Sequence, residues 1–401
     1  MSGREEALNG AAARLRTLSL QLAPSPCAAP AAAQSYFEGV QQAPPDSILG
    51  ITEGFLADKS PNKLNLGVGA YRTEEGKPLV LSAVLKAQRI VVDDRSRNKA
   101  RARDEYQPIG GNAQFCALSA ALAYGPDFDG LRDGRVAVVQ TLSGTGALAV
   151  GGAFLARHYA ASKQVFVPNP TWGNHHGVFG SVGLTVKTYR YYHAATRALD
   201  YEGMLSDLRA AEPGAVVLLH ACAHNPTGVD PTPDQWRGIL AVVQERGLMP
   251  FFDSAYQGFA SGDLDADAGA LRMFASARRR DGSPQEMLLA QSFAKNMGLY
   301  GERVGALSVV TQSPEVRKRV DSQLKVAIRV MYSNPPIHGA AIAAMVMANP
   351  ALSAEWQAEL AGMAGRIKDM RRALVDALAA AGAPGNWDHI TSQGAQAWLA
   401  A

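Results

Sequence analysis

The sequence predicts an α/β fold with a mostly parallel central sheet and helices on both of its faces. Three observations carry that prediction. Seven short apolar runs are spread along the chain, at Val136–Gln140, Gln164–Val167, Thr185–Tyr189, Ala215–His220, Pro250–Asp253, Met287–Gln291 and Ala306–Val310. Several are rich in β-forming residues yet lack polar alternation, the pattern of strands buried on both faces. Helical patterns separate most of them, and strands that alternate with helices favour a parallel sheet.

Composition bounds the rest. A chain of 401 residues is long enough for a large core and two domains. Its 47% hydrophobic content reads as globular. The formal net charge is +3, with Lys and Arg scattered, so there is no basic stripe to track a nucleic-acid backbone. No apolar run is long enough to span a bilayer. Cys27, Cys116 and Cys222 are too few and too far apart for a disulfide framework, which makes a reducing compartment the default.

Residues 1–34 differ in character from the remainder of the chain. Ala, Pro and Ser dominate Ala23–Ala33, as in a tail without a packed core. Arg14-Leu15, five residues, then Gln21-Leu22 resembles the nonapeptide that addresses proteins to peroxisomes. Arg14 and Arg16 among alanines also suit a plastid or mitochondrial transit peptide, but Glu5 and Glu6 weigh against it, and a cytoplasmic protein stays open. Farther on, Ser313-Pro314-Glu315 reads as a helix start. Leu360, Met363, Ile367, Met370 and Leu374 recur at threes and fours, so a helix with one buried face is expected over Ser353–Ala381.

Ligands of open α/β sheets gather at the carboxyl ends of strands, and polar residues come directly after several of these strands. Ser143-Gly144-Thr145-Gly146 precedes a small-residue helix (Ala147–Ala156) and offers backbone N–H groups and hydroxyls to an anion. Such turns are also ordinary packing solutions. The segment lacks the third glycine of a dinucleotide fingerprint and the Lys of a nucleotide loop. Trp172, in a Gly/Pro loop, could stack on a planar ring or simply on its own turn. His220, Cys222 and His224 look like metal ligands, but no second ligand cluster lies nearby in sequence and no metal is expected. The Asn225-Pro226-Thr227-Gly228 turn places an amide after the same strand. Asp253 ends a buried strand, where a carboxylate needs a cationic partner such as a protonated ring nitrogen, and Tyr256 lies three residues on. Lys295 also comes after a buried strand, in a setting that lowers its pKa and frees the amine to form an imine. A lone lysine there more often snorkels, but Ser292 and Arg303 flank this one and both suit a phosphate.

Together these residues describe one ligand. The inventory comprises a phosphate cup (Ser143, Gly144, Thr145, Ser292, Arg303), a stacking ring (Trp172), a pyridinium partner (Asp253), donors to a ring oxygen (Asn225, Tyr256) and an imine-forming amine (Lys295). Pyridoxal 5′-phosphate needs that set, because a protonated ring bound through a lysine Schiff base acts as an electron sink.

The sequence resembles the aspartate aminotransferases of the class I, fold type I group from about Phe37 to Gln393. The motifs are Asn65 to Arg72, Glu105 to Ile109, Ser143 to Leu148, Asn169 to Trp172, His220 to Gly228, Asp253 to Tyr256, Ser292 to Gly305 and Ile328 to Pro336, in the family's order. The resemblance implies reversible transfer of an amino group between L-aspartate and 2-oxoglutarate, giving oxaloacetate and L-glutamate. It implies a homodimer in which Tyr106 reaches the neighbour's cofactor phosphate and Arg329 pairs with the substrate's side-chain carboxylate in the neighbouring subunit. Gly69, Trp172 and Asn225 should line the substrate site, and His175 should support Asp253. Lys295 should hold the cofactor and then carry a proton between substrate and cofactor carbons. The implied domains are an N-terminal extension (1–34), the first part of a small domain (35–80), a large cofactor domain (81–350), and a long helix with an incomplete remainder of the small domain (351–401).

Two departures stand out. Asp388 to Gln393 fits the family but Gly394–Ala401 does not, and no arginine occurs after Arg372, so the segment that would bind the substrate α-carboxylate is expected to be missing. That leaves two alternatives, a catalytically impaired cofactor-binding fold or an aminotransferase with another amino-acid preference. The second departure is Ala294, where many relatives carry a serine.

Overall fold

A computed structural model describes residues 35–44, 49–63, 69, 71–97 and 105–393 of the chain. The nonapeptide (Arg14 to Leu22), Cys27, most of the Asn65–Arg72 motif and Gly394–Ala401 lie outside the described residues. The chain divides into two compact units, Met1–Gly69 and Ala70–Ala401. In the first, helix α1 (Leu49–Ala57) is closed at its end by Lys63, whose ammonium donates to the Phe55 and Asp58 carbonyls and stands 4.4 Å from the Phe55 ring.

The second unit is built on a seven-stranded sheet: β1 (Val136–Leu142), β2 (Gln164–Asn169), β3 (Thr185–Arg190), β4 (Val216–His220), β5 (Met249–Ser254), β6 (Met287–Ser292) and β7 (Val304–Val310). Each of the seven expected runs is a strand. Their order is β1-β7-β6-β5-β4-β2-β3, with β7 antiparallel to both neighbours and the other pairings parallel. The missing alternation has a direct cause. Val217 and Leu219 of β4 face one core with Phe252, Trp236 and Phe274, while Val216 and Leu218 face another with Phe251, Leu307 and Phe179. Every residue of β4, β6 and β7 is buried, so no position is left for a polar face.

Among the described residues, this unit also holds ten helices of eight or more residues: α2 (Ser82–Arg97), α3 (Ala113–Tyr124), α4 (Ser143–His158), α5 (Asn174–Ser181), α6 (Tyr201–Ala210), α7 (Pro233–Arg246), α8 (Gly269–Ser276), α9 (Pro314–Met331), α10 (His338–Ala348) and α11 (Pro350–Ala380). Local signals explain several starts. Ser313 caps α9 by accepting from the Val316 N–H, with Pro314 at the first position. Thr232 and Gln235 form a reciprocal capping box on α7, and Gly247 closes it in the left-handed region at φ 61°. The first turn of α2 borrows its cap from α11, where the Glu359 carboxylate accepts from the Ser82 and Ala83 N–H groups.

Two expectations need correction. The small-residue helix begins at Ser143 rather than Ala147, so the anion-binding segment is its first turn. On α11 the apolar stripe is buried only in part: Leu360 and Met363 are buried, but Met370 and Leu374 stay exposed. Beyond Ala364 the one buried residue of the helix is Arg371, which bonds the Ile390 and Gln393 carbonyls.

Candidate active site

The carboxyl ends of β1, β4, β5 and β6 converge on one pocket, the place an open α/β sheet offers a ligand. Ser143, Gly144, Thr145, Trp172, Asn225, Asp253, Tyr256, Ser292, Lys295 and Arg303 all line it. The whole expected cofactor shell except Tyr106 is therefore brought together from segments up to 160 positions apart.

The phosphate end is built by close backbone packing. Ser143 comes after β1 in the left-handed region at φ 61°, and Arg303 precedes β7 there at φ 53°. Such strained residues persist where the surroundings over-determine them. Here Gly305 of β7 lies opposite both Thr141 and Ser292, which presses the two loops together. As a result Ser143 Oγ stands 2.9 Å from Ser292 Oγ, and Ser292 Oγ also accepts the Ala294 N–H at 3.3 Å. At Gly144 an added Cβ would meet Ser292 Cβ at 3.2 Å, so the first turn of α4 presents bare backbone to the cup. Two hydroxyls, a helix N-terminus of sixteen residues and the Arg303 guanidinium make a donor set suited to a phosphate dianion.

At the ring end, Asp253 is backed by a relay. His175 Nε2 stands 3.3 Å from Asp253 Oδ2, and His175 Nδ1 stands 2.7 Å from Thr171 Oγ1. A carboxylate only accepts, so Nε2 carries the proton and, in the neutral ring, Nδ1 accepts from Thr171. His220 packs edge-on against His175 at 5.5 Å between centroids, and its Nδ1 accepts the Asn225 N–H at 3.1 Å. Burial would raise the Asp253 carboxyl, but the His175 hydrogen bond and the electrostatic pull of the neighbouring basic groups outweigh it and hold the group below its ordinary value. Burial pushes His220 down to about 3, against the pull of Asp253, and keeps that ring neutral. An ionised Asp253 next to neutral His220 is the arrangement that keeps a pyridine nitrogen protonated.

Lys295 faces this from the adjacent strand. Burial lowers its amine, the Arg303 charge pushes the same way, and Asp253 opposes both. Its Nζ stands 5.1 Å from the centre of the Tyr256 ring. Burial, with help from Asp253, raises the Tyr256 phenol, so it remains a donor. Every part of the expected inventory for pyridoxal phosphate thus has a matching group around one pocket.

Two expected site residues of this unit stand apart from the pocket lining. Tyr106 is 88% exposed and Arg329, on α9, is exposed with its guanidinium bonded to Ser333 Oγ; neither lines the pocket. Gly69 closes the first unit and is exposed there. Conversely, His220, Cys222 and Tyr300 line the pocket, although their residue types and spacing assign them no role there. For His220 the signal is present in the His-Cys-His alternation, which suggests a metal. The three groups that the structure places within 4.8 Å of one another are instead His175, His220 and Asp253, while His224 turns away to stack on Tyr191 and bond Thr227.

Comparison with known proteins agrees with this geometry. The family described as "Aminotransferase class I and II" matches residues 61–397. The chain is 58% identical over 362 residues to the cytoplasmic aspartate aminotransferase of Oryza sativa subsp. japonica, covering 90% of this chain and 86% of that one. It is similar to the crystal structure of an aromatic-amino-acid aminotransferase from Burkholderia pseudomallei covalently bound to pyridoxal phosphate (TM-score 0.83, 44% identity, 90% and 87% covered). It is also similar to the aspartate aminotransferase of Saccharomyces cerevisiae cytoplasm (TM-score 0.84, 39% identity, 90% and 86% covered). With a family match spanning most of the sequence and a pocket that carries its chemistry, the chain belongs to the class I and II aminotransferases.

Proposed function

We propose that this enzyme moves an amino group between L-aspartate and 2-oxoglutarate, giving oxaloacetate and L-glutamate, with pyridoxal phosphate held in the pocket. The observation that carries the reading is the Lys295 amine, lowered by burial and set in one pocket with Asp253 and the Ser143–Ser292 hydroxyl pair. The bound cofactor supplies a conjugated electron sink. The chain's own residues do the rest. Ser143, Thr145, Ser292 and Arg303 hold the phosphate, and Asp253, steadied by His175, keeps the ring nitrogen protonated. Trp172 stacks on the ring, and Asn225 and Tyr256 donate to its oxygen. Lys295 Nζ would anchor the cofactor at rest; the substrate's amino group would displace it, and the freed amine would take the proton from the substrate Cα and return it to the carbon on the cofactor side. Burial favours the neutral form of the amine, the form such a base needs.

Tyr106 and Arg329 are proposed to act in a neighbouring copy of the chain, which their exposure and their distance from the pocket lining support. In that role Arg329 would bind the distal carboxylate of a dicarboxylic substrate in fork geometry. The Arg14–Leu22 nonapeptide supports a peroxisomal address. A second reading, an enzyme for aromatic amino acids, is favoured by the likeness to the Burkholderia protein. The test uses purified chain with added pyridoxal phosphate. The expected result is a near-visible absorbance that Lys295→Ala abolishes, with turnover of aspartate that Arg329→Ala lowers relative to phenylalanine. A chain that takes up no cofactor refutes the whole reading. Cofactor binding without turnover leaves only a cofactor-binding fold, and an unchanged aspartate-to-phenylalanine ratio favours the aromatic enzyme.

A further inference from the structure

The loops carrying Lys295 and Tyr256 extend from neighbouring strands, β6 and β5, and parallel strands alone do not set how their loops sit beyond the last ladder bond. The β5–β6 register ends at Ser254–Gln291. Tyr256 comes two residues after Ser254 and Lys295 four after Gln291, so both side chains lie beyond the β5–β6 ladder. One contact that ties the two loops beyond it runs through Asn296, the residue after Lys295. Asn296 is 3% exposed, and its Nδ2 donates to the Gln257 carbonyl, the residue after Tyr256, at 3.2 Å. Its own carbonyl accepts the indole N–H of Trp356, from α11, at 2.7 Å. Gln257 is in turn locked by its amide, which donates to the carbonyls of Leu122 and Leu264.

We propose that Asn296 is a positioning residue, whose amide ties the Lys295 loop to the Tyr256 loop and so fixes the amine against Tyr256 and Asp253. The inference deepens the proposed reaction and rests on it. Two features favour this over simple filling of the core. Asn296 Oδ1 is buried with no partner among the described residues, a cost that an apolar residue of similar size would not carry. The acceptor of the amide also lies one chain step from Tyr256, a group of the pocket, so loss of the amide is felt there first. Beside the Lys295 amine stands the Tyr256 ring, a contact that confines the amine without the directionality of a hydrogen bond.

The experiment compares Asn296→Ala with wild-type holoenzyme, with Trp356→Phe as a milder variant that keeps the ring packing but removes the donor to Asn296. Gln285→Ala, a buried amide remote from the pocket, is the control for lost stability alone. Misplacing a catalytic group by about 1 Å costs up to about a hundredfold in rate. Asn296→Ala is therefore expected to lower kcat by about ten- to a hundredfold with KM for aspartate within about twofold. The pH midpoint at which the bound cofactor's absorbance changes should rise by about half a unit or more, because a loosened loop admits water to the amine. Trp356→Phe should move both in the same direction by less, and Gln285→Ala should move neither. Asn296→Ala with a wild-type kcat and absorbance midpoint overturns the proposal, as does Gln285→Ala giving the same kinetic and spectral shifts. Should Asn296→Ala fail to fold, Asn296→Leu, which keeps a side chain of similar size without the donor to Gln257, decides by the same two readouts. If wild-type protein shows no cofactor absorbance at all, the proposed reaction fails first and is identified as the fault.

Discussion

Gly305→Ala tests how the phosphate end of the pocket is made. Gly305 lies on β7 between Thr141 of β1 and Ser292 of β6. A Cβ there would stand 2.5 Å from the Gln291 carbonyl oxygen, 2.5 Å from the Ser143 carbonyl carbon and 2.6 Å from Ser143 Cα. All three are backbone atoms, so no side chain can swing away. Ordinary contact needs about 3.4 Å, so the backbone must part by roughly 0.9 Å, and overpacking of that kind costs about 1–3 kcal/mol of stability. The displaced atoms are those that hold Ser143 in its left-handed conformation and set the 2.9 Å approach of Ser143 Oγ to Ser292 Oγ. Moving either hydroxyl out of reach of a phosphate removes a charge-assisted hydrogen bond worth about 1.5–3 kcal/mol, or about ten- to a hundredfold in Kd. The assay is titration of cofactor-free protein with pyridoxal phosphate, monitored by absorbance, beside a thermal melt. Gly151→Ala is the control: its Cβ would meet the Phe251 ring at 2.6 Å and Leu307 at 3.3 Å, in the core and away from the cup. It should lower the melting temperature and leave Kd within about twofold. A folded Gly305→Ala protein that binds the cofactor as tightly as wild type would refute this account of the cup.

The buried polar groups carry further expected outcomes. Thr171→Val removes the hydroxyl 2.7 Å from His175 Nδ1, and loss of one neutral hydrogen bond worth about 1 kcal/mol should lower kcat by roughly fivefold in steady-state assays. Burial depresses His220 from 6.5 to about 3, so the folded protein binds no proton there while the unfolded chain does. Its contribution is constant above 6.5 and is lost as pH falls from 6.5 towards 3. In urea unfolding between about pH 4 and 6, His220→Asn should therefore flatten the dependence of stability on pH by about 1.4 kcal/mol per unit. An unchanged slope would mean that His220 already exchanges protons in the fold. Asp267→Ala should leave the loop after Tyr256 loose, because its carboxylate accepts the Gly258, Ala260 and Ser261 N–H groups, and hydrogen exchange at those three amides should quicken.

Much of this protein is legible in its sequence. The seven strands of the large sheet can be placed from apolar runs because strands buried on both faces, such as Met287–Ser292, carry few polar residues to blur the pattern. The cofactor shell is legible for a related reason: its members sit where buried strands end, and a charged or hydroxylated residue such as Asp253 or Ser292 is conspicuous there. His220 is misleading because its partners, His175 and the Asn225 N–H, lie in other segments or in the backbone, and spacing in the chain does not report convergence in space. Periodicity at Met370 and Leu374 shows which side of α11 is apolar and not what covers it.

By itself, the sequence determined the residue types that chemistry needs, the strands that end beside them and the family they belong to. Only the tertiary structure decided the rest. It turned β7 antiparallel, so that Gly305 could be pressed between two loops and bring Ser143 to Ser292. It backed Asp253 with His175 and Thr171, which makes the carboxylate's charge tolerable in a buried place. It also joined Lys295 to Tyr256 through Asn296 and Gln257, across 39 positions of chain. The physical reason is common to all three. Burial, close approach and hydrogen-bond partnership belong to pairs of segments, and a one-dimensional pattern describes each segment alone.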